Sequence, residues 1–225
     1  DPVHLLLPGG SSDLLEAFYV DAFDFPAYNE LIPAAVEQAI KNLPERRSLR
    51  ILEVGAGTGS LTKAVLPVLP SDQTEYLFTD VGPAFLSKAK HRFSDWPFIQ
   101  YSTLDIERDL VAQGIAKGSI DFILATNVLH ATADLKDTLG NLKTCLAPGG
   151  MLMFQEVVRR RAAWDNVFGL LDGWWKYTDS DLRSSSALLQ REQWKSLLNE
   201  CGFNDVGYFH CSPNDDEAEQ SVFVS

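Results

Sequence analysis

The chain runs from a strand into a glycine loop at Leu49-Arg50-Ile51-Leu52-Glu53-Val54-Gly55-Ala56-Gly57-Thr58-Gly59. The aliphatic and β-branched residues before the loop predict a short buried strand, and an apolar stripe at helical spacing follows the loop as far as Pro70. A glycine loop between the first strand and the first helix of an α/β sheet brings a ligand against bare backbone. The stretch therefore predicts a cofactor site in an α/β domain.

The spacing of the glycines distinguishes between two kinds of cofactor. The dinucleotide fingerprint GxGxxG requires a glycine where this chain has Ser60. Glu53, two residues before the loop, would repel a diphosphate but would favour a ligand with a positive amine and a sulfonium. Asp80 ends the next predicted strand, where a carboxylate can accept both ribose hydroxyls of an adenosine cofactor. A nicotinamide-dependent reductase is thus the weaker interpretation, and a tight turn in an unrelated domain is the other alternative.

Strand and helix patterns alternate along the chain around this loop. Besides the strand at 49–54, strands are predicted at 76–80, 98–103, 120–125 and 151–156, and helices at 27–42, 83–93, 134–146 and 187–201. Two late strands are also predicted, at 206–211 and 221–225, and for these two antiparallel pairing is an alternative to parallel pairing. Alternating strands and helices predict βαβ units in a mostly parallel sheet with helices on both faces.

The composition of the 225 residues is that of one ordinary globular domain, with 45% hydrophobic residues. A net charge of −12, from 19 basic and 31 acidic side chains, argues against nonspecific nucleic-acid binding. No apolar run reaches the roughly 18 residues that a membrane helix requires. Three cysteines without CxxC spacing indicate reduced, cytosolic thiols rather than disulfides or a zinc site. The start at Asp1, without an initiator methionine, predicts a piece cut from a longer chain.

Together, the ExGxGxG loop and the downstream aspartate resemble the S-adenosylmethionine-binding signature of class I methyltransferases. The resemblance implies a Rossmann-like fold with a seven-stranded sheet, S-adenosylmethionine as methyl donor, S-adenosylhomocysteine as product, and no metal. Asp105 is one of the residues that the resemblance assigns to the cofactor, and the alternative interpretation is that it is an ordinary cap at a strand end. The cofactor-binding residues expected from the loop and from the resemblance are Glu53, Gly55, Gly57, Gly59, Asp80, Asp105, Ile106 and Asn127.

A histidine and a carboxylate follow two neighbouring strands of the predicted sheet. His130 lies just beyond the strand at 120–125, and Glu156 ends the strand at 151–156. Because parallel strands end at one edge of a sheet, we expect both side chains on the edge that carries the glycine loop. Methyl transfer requires that the acceptor be positioned and lose a proton, for which histidine is the natural base and a carboxylate its orienting partner. A core or capping histidine and a solvated carboxylate are the alternatives.

Two further elements have both a functional and a structural interpretation. Trp174 and Trp175 lie outside the predicted strands, which indicates either a wall over a site or a plug between helix and sheet. The run of three arginines at 159–161 is basic within an acidic chain. Most such runs are solvated, but one could also meet an acidic partner or a phosphate.

From about residue 13 to about residue 205 the chain also resembles the methyltransferase domains of modular polyketide synthases. The likeness rests on Asn127-Val128-Leu129-His130-Ala131-Thr132, on Leu146-Ala147-Pro148-Gly149-Gly150, on Gly173-Trp174-Trp175 and on Asp181-Leu182-Arg183. It implies a methyltransferase core at 28–225, preceded by a short helical lid remnant at 1–27. It also implies a cytoplasmic domain beside other synthase domains, with Tyr28, Trp174 and Trp175 in the substrate pocket.

Domains of this kind methylate an acyl chain on the phosphopantetheine arm of an acyl carrier protein. Those that act on carbon use a His–Glu dyad to deprotonate the α-carbon of a β-ketoacyl thioester, and His130 and Glu156 match that dyad. A related branch methylates a β-hydroxyl or enol oxygen, and this chain has Glu156-Val157-Val158 where carbon-methylating domains often have Glu-Gly-Thr. The resemblance implies C-methylation, with O-methylation and a non-catalytic structural module as alternatives. Neither a nucleic acid nor a membrane is expected as a partner.

Overall fold

The computed structural model describes residues 28, 30–43, 47–170, 172–212, 214 and 217–225. The lid remnant expected at 1–27 lies outside the described residues, so the division between lid and core stays a prediction. Within the described part of the chain, no helix combines the length and the apolar character needed to cross a bilayer.

In the part of the chain that the structure describes, seven strands form one sheet: β1 (Leu49–Val54), β2 (Thr74–Asp80), β3 (Ile99–Thr103), β4 (Ile120–Thr126), β5 (Leu146–Val157), β6 (Gly207–Phe209) and β7 (Gln220–Val224). Their order across the sheet is β3-β2-β1-β4-β5-β7-β6. β1 to β5 pair in parallel, whereas β7 is antiparallel to both β5 and β6. The predicted seven-stranded, mostly parallel sheet is confirmed, and the two late strands pair antiparallel.

The described helices are α1 (Leu31–Lys41), α2 (Ser60–Val65), α3 (Pro83–Arg92), α4 (Leu135–Cys145), α5 (Ala162–Val167) and α6 (Arg191–Glu200). All but α5 lie near predicted positions, and α5 was not predicted from the sequence. Short 3₁₀ turns lie at Leu66–Val68, Leu129–Ala131, Phe168–Leu170 and Asp172–Trp175. The helix predicted from 187 begins only at Arg191, because Gln190 and Gln193 form a reciprocal capping box there. Ala187 and Leu188, whose apolar side chains suggested helix, are buried in the non-helical segment before it.

Strand β5 begins five residues earlier than the sequence predicts, at Leu146 rather than Met151. Leu146 pairs with Ile120, and the register then shifts before Met151 pairs with Phe122. The turn residues around Pro148 lie within this irregular first half of the strand. Because these residue types are typical of turns, the sequence did not indicate that the segment pairs as part of a strand.

Helices cover both faces of the sheet because the buried strands alternate their side chains. Leu52 and Ile123 pack with α4 and α6 on one face, while Ile51 and Leu124 pack with α1, α2 and α3 on the other. Burial on both sides is typical of parallel sheets and explains the almost continuous apolar runs. The carboxyl ends of β1, β2, β4 and β5 consequently meet at one edge, where the candidate site lies.

Candidate active site

The glycine loop after β1 adopts a backbone conformation that favours glycine. Gly55, Gly57 and Gly59 have φ angles of 56°, 51° and 76°, in the left-handed region. A Cβ on Gly55 would lie 2.6 Å from Val128 Cγ1, and one on Gly59 would lie 2.7 Å from the Phe93 ring. A Cβ on Gly57 would approach only the Gly55 carbonyl oxygen, at 3.8 Å, among the described atoms. The loop thus leaves room for a ligand beside Gly57.

Asp80, at the end of β2, fastens this loop to the second strand. Its Oδ2 accepts a hydrogen bond from the Gly57 N–H at 2.9 Å, and its Oδ1 accepts one from the Gly82 N–H at 2.7 Å. Each carboxylate oxygen keeps a second acceptor position, since an ionised carboxylate offers about four. Asp80 can therefore hold the loop and accept ribose hydroxyls at the same time. The contact to the loop was not foreseen from the sequence.

Glu53 lies on the face of β1 that packs against α2, beneath the loop. Its Oε2 accepts hydrogen bonds from the Thr62 hydroxyl at 2.5 Å and from the Tyr76 hydroxyl at 2.6 Å. Burial raises the pKa of Glu53 to about 7, although these two hydrogen bonds act in the opposite direction. A cation placed beside this carboxyl would favour its charged form. The structure shows Glu53 as a buried support of the loop, and its contact with a cofactor stays a prediction.

A cleft of about 360 Å³ lies beside the first glycine of the loop, lined by Gly55, Val81, Leu104, Asp105, Ile106, Glu107, Val128, Ala131, Thr132 and Lys176. Gly57, Gly59 and Asp80 are not part of this lining. The cleft brings Gly55 together with Asp105 and Ile106, three of the residues expected to bind a cofactor. The Asp105 carboxylate also accepts from the Glu107 N–H at 3.0 Å and pairs with Arg108 at 3.1 Å, so it caps its own turn as well. Bare backbone, apolar walls and carboxylate acceptors together fit an adenosine-containing ligand.

The structure brings His130 and Glu156 together where β4 and β5 end. The imidazole Nδ1 lies 2.6 Å from Glu156 Oε2, and the two side chains are 12% and 0% exposed. An ionised Glu156 can only accept, so a neutral His130 paired with it has its proton on Nδ1 and a lone pair on Nε2. His130 is therefore held in the tautomer that a general base requires.

Glu156 also fixes the backbone turn that carries its partner. Its Oε1 accepts from three consecutive N–H groups, those of Val128 at 3.1 Å, Leu129 at 2.8 Å and His130 at 3.3 Å. These donors compensate for burying the carboxylate. The position and the orientation of the imidazole thus depend on one carboxylate.

An apolar cavity of about 30 Å³ borders His130, and it is lined by Asn127, His130, Val157, Trp164, Phe168, Trp174 and Leu188. Trp174 meets the imidazole edge-on with ring centroids 5.5 Å apart, and it stacks on Phe168 at 5.7 Å. Its indole N–H donates to Asp165 at 3.1 Å. Trp174 therefore lines the cavity beside His130 and also packs against its aromatic neighbours. Trp175, in contrast, is 48% exposed.

Two other residues of the expected site, Asn127 and Tyr28, do not line the cleft beside Gly55. Asn127 has a left-handed φ of 54°, and its Oδ1 accepts from the Val157 N–H at 3.1 Å, so it ties β4 to β5 beside His130. Tyr28 is fully buried in the core on the α1 side of the sheet, where its ring adds to the apolar layer. The structure does not bring Tyr28 to the cleft beside Gly55 or to the cavity beside His130.

Arg183 is a site residue that the sequence reasoning missed. Its side chain is 0% exposed, and its Nε lies 2.6 Å from Asp179 Oδ1. Its guanidinium donates to the carbonyl oxygens of His130 at 2.9 Å, Thr132 at 2.8 Å and Ala133 at 3.0 Å. Arg183 therefore holds carbonyl groups of the same segment after β4 whose N–H groups Glu156 Oε1 holds. Arginines are mostly exposed, so the one signal in the sequence is its place in Asp181-Leu182-Arg183, one of the motifs that resemble polyketide synthase domains.

Glu107, which is paired with Lys176, holds the same segment from the cleft beside Gly55. Glu107 Oε1 accepts from the Ala133 N–H at 2.6 Å, and Oε2 is paired with Lys176. Partial burial tends to raise the pKa of Glu107, but the hydrogen bonds from Lys176 and Ala133 outweigh it and lower the pKa. Among the described residues, no group of three or more His, Cys, Asp or Glu side chains is arranged to hold a metal ion.

Comparison with known proteins gives concordant matches. The sequence profile of the family described as "Methyltransferase domain" matches residues 52–152. Polyketide synthase ThaG of Burkholderia thailandensis is 39% identical over 209 residues, which cover 91% of this chain and 4% of that synthase. The structure of the CurJ carbon methyltransferase matches with a TM-score of 0.95 at 43% identity, covering 100% of this chain and 60% of the other. The structure of the trans-methyltransferase CalH in complex with SAH matches with a TM-score of 0.80 at 32% identity, covering 100% of this chain and 61% of the other.

Proposed function

The chain belongs to the class I methyltransferase domains found in polyketide synthases, and from that premise we propose which atom it methylates. As an S-adenosylmethionine-dependent methyltransferase it transfers a methyl group, and the proposed acceptor is the α-carbon of a β-ketoacyl chain. That chain is carried on the phosphopantetheine arm of an acyl carrier protein, and the domain works beside other synthase domains. His130 is the proposed base, and Glu156 orients it.

The geometry of His130 and Glu156 is the observation that carries this proposal. The α-proton of a β-ketoacyl thioester is acidified by two flanking carbonyl groups, so an imidazole is a sufficient base. The proton moves to Nε2, and the electron pair of the broken C–H bond stays on the substrate as an enolate. The imidazolium that results lies 2.6 Å from the Glu156 carboxylate, whose negative charge stabilises it.

The remaining residues hold the methyl donor and keep water away. S-adenosylmethionine, when bound, supplies an electrophilic methyl group and departs as a neutral thioether, so no side chain has to protonate a leaving group. Gly57 and Asp80 would hold the donor at the glycine loop, and Asp105 and Ile106 would line its cleft. Trp174 and its aromatic neighbours exclude water from the side of His130 where the acyl chain would lie.

Two observations favour carbon over oxygen as the acceptor. CurJ, which is 43% identical and covers the whole chain, is described as a carbon methyltransferase. The cavity beside His130 is also mostly apolar, since Val157, Leu188 and three aromatic rings line it together with His130 and Asn127, so it offers a β-hydroxyl few polar groups to bind. O-methylation by the same dyad is the alternative reaction.

Three carrier-bound substrates distinguish the two reactions: a β-ketoacyl chain, a β-hydroxyacyl chain, and a β-hydroxyacyl chain with two methyl groups already on its α-carbon. Each is incubated with S-adenosylmethionine, and fragmentation mass spectrometry locates the added mass. C-methylation predicts mass on the α-carbon of the β-ketoacyl chain alone. Mass on oxygen, above all on the α-blocked chain, would replace this proposal with O-methylation.

Replacing the base tests its role separately from cofactor binding. His130→Ala should abolish methyl transfer, while isothermal titration with S-adenosylhomocysteine should give the affinity of the unaltered chain. His91→Ala, an exposed histidine in α3, is the matched control and should retain transfer. Full turnover by the His130 variant would exclude His130 as the base. An unaltered chain that binds cofactor but methylates no carrier-bound substrate would indicate the non-catalytic module.

A further inference from the structure

A larger cavity, of about 700 Å³, adjoins the candidate active site where β5 ends. It is lined by residues 158–160, 182–186 and 190–193 together with Leu188, Tyr208 and Ala218. Leu188 also lines the apolar cavity beside His130, and the adjacent residues Val157 and Val158 lie one in each lining. The two cavities therefore share a wall, with a polar space on one side and an apolar space beside the base on the other.

The large cavity concentrates arginines in a chain of net charge −12. Four of the chain's ten arginines line it, and Glu192 is the one acidic residue in that described lining. Arg160 and Arg183 are each paired with an aspartate, which neutralises them locally. The Arg159 side chain is exposed, and its guanidinium has no ion-pair or hydrogen-bond partner among the described residues. The cavity thus offers a cation to a ligand.

Further donors surround Arg159 in this cavity. Arg191 is positioned at the wall, because its Nε donates to the Ser221 hydroxyl at 3.0 Å and its guanidinium lies over the Tyr208 ring at 5.1 Å. Ser184 and Ser185 add two exposed residues with hydroxyl groups to the same lining. Guanidinium groups with hydroxyls beside them are the donors that phosphate oxygens bind most strongly in proteins.

We propose that this cavity binds the phosphodiester of the phosphopantetheine arm, with Arg159 as its main contact. The inference rests on the proposed function, since it assumes a substrate that arrives on such an arm. That arm has a charged phosphate at its carrier end and an apolar acyl group at its thioester end. A cationic cavity that shares a wall with an apolar cavity beside His130 matches these two ends. Arg159 is then a binding residue for the arm and takes no part in proton transfer.

The test compares two ligands that differ only in the phosphate. Dissociation constants are measured for phosphopantetheine and for pantetheine with S-adenosylhomocysteine present, so that no turnover is needed. The unaltered chain should bind phosphopantetheine about tenfold or more tightly than pantetheine, as expected for a charge-assisted hydrogen bond to a phosphate. Arg159→Gln should bring the two constants together. Arg50→Gln, an exposed arginine paired with Glu75, is the matched control and should leave the ratio unchanged.

Four outcomes decide the proposal. Equal binding of both ligands by the unaltered chain would overturn it, even if methyl transfer to a carrier-bound substrate is observed. If the unaltered chain binds phosphopantetheine tenfold more tightly than pantetheine but methylates no carrier-bound substrate, the proposed function is wrong and the phosphate site is supported. A raised KM with unchanged kcat for Arg159→Gln on an acyl-phosphopantetheine supports the proposal. If Arg159→Gln equally weakens binding of a carrier that lacks the arm, the cavity binds acidic side chains and the proposal is overturned.

Discussion

The two ends of the site are built over different distances along the chain. At the cofactor end, Asp80 accepts from amides that lie 23 and 2 residues away. At the acceptor end, Glu156 reaches amides 26 to 28 residues away, and Arg183 reaches carbonyls 50 to 53 residues away. The contacts of Asp80 thus lie within one βαβ unit and those of Glu156 within another, whereas the acceptor end depends in addition on a buried arginine from a distant segment. We expect substitutions at the first end to change cofactor affinity and substitutions at the second to change turnover.

The largest expected effect comes from the carboxylate of the acceptor end. Glu156→Gln should lower kcat about a thousandfold, because an amide can donate to Nδ1 and shift the imidazole proton to Nε2, and because the imidazolium loses its counter-charge. Steady-state kinetics measure kcat, and the dissociation constant of S-adenosylhomocysteine should not change. Glu75→Gln, an exposed carboxylate in β2, is the control. Normal turnover by Glu156→Gln would show that Glu156 only supports the backbone.

The second effect should be confined to the cofactor end. Asp80→Asn leaves one of two backbone donors without its acceptor and removes a charge, so the dissociation constant of S-adenosylhomocysteine should rise about a hundredfold. At saturating cofactor the kcat should stay near that of the unaltered chain. Asp95→Asn, exposed after α3, serves as the control. A fall in kcat as large as the loss of affinity would contradict the separation of the two ends.

A third and smaller effect is expected for the clamp on the His130 segment. Arg183→Lys keeps a charge near Asp179 but lacks the fork that holds three carbonyl groups, so a small displacement of His130 should lower kcat about tenfold. We expect the KM for the carrier and the cofactor affinity to be unchanged. Arg50→Lys controls for the substitution. A loss of activity that disappears when the assay is cooled well below the unfolding midpoint would assign Arg183 a purely structural role.

The last effect concerns stability rather than turnover. The pKa of Glu53 is about 7 in the folded chain and near 4.5 in the unfolded chain, so folding favours the protonated form. That stabilisation is complete below pH 4.5 and is lost as the pH rises towards 7, at about 1.4 kcal/mol for each pH unit. Urea denaturation from pH 5 to pH 8 should therefore show a decline that Glu53→Gln removes. An identical pH dependence in both chains would show that Glu53 does not carry the decline.

The placement of the glycine loop and of Asp80 at the next strand end could be predicted from the sequence because the information for it is local. The strand, the glycines and the acid at the next strand end follow one another within about 30 residues, and their spacing has a direct physical meaning. The fold followed from the same kind of reading, since buried parallel strands appear as apolar runs. The structure adds the contact between Asp80 and Gly57, which spacing alone does not reveal.

The acceptor end was only partly predictable. His130 and Glu156 could be found because parallel strands end at one edge, but nothing in their spacing shows that Glu156 accepts three backbone amides as well. Arg183 would ordinarily be assigned to the surface, since burying a guanidinium requires partners that sequence does not display. The large polar cavity combines residues from 158 to 218, and only the folded chain brings them together.

The central claim is that His130 removes a proton from the α-carbon of the acyl chain. It can be tested without methyl transfer, by incubating a carrier-bound β-ketoacyl chain in deuterium oxide with S-adenosylhomocysteine and following deuterium at the α-carbon by mass spectrometry. The unaltered chain should incorporate deuterium much faster than buffer alone, and His130→Ala should not exceed the buffer rate. Exchange by the unaltered chain at the buffer rate, or equally fast exchange by His130→Ala, would contradict the account.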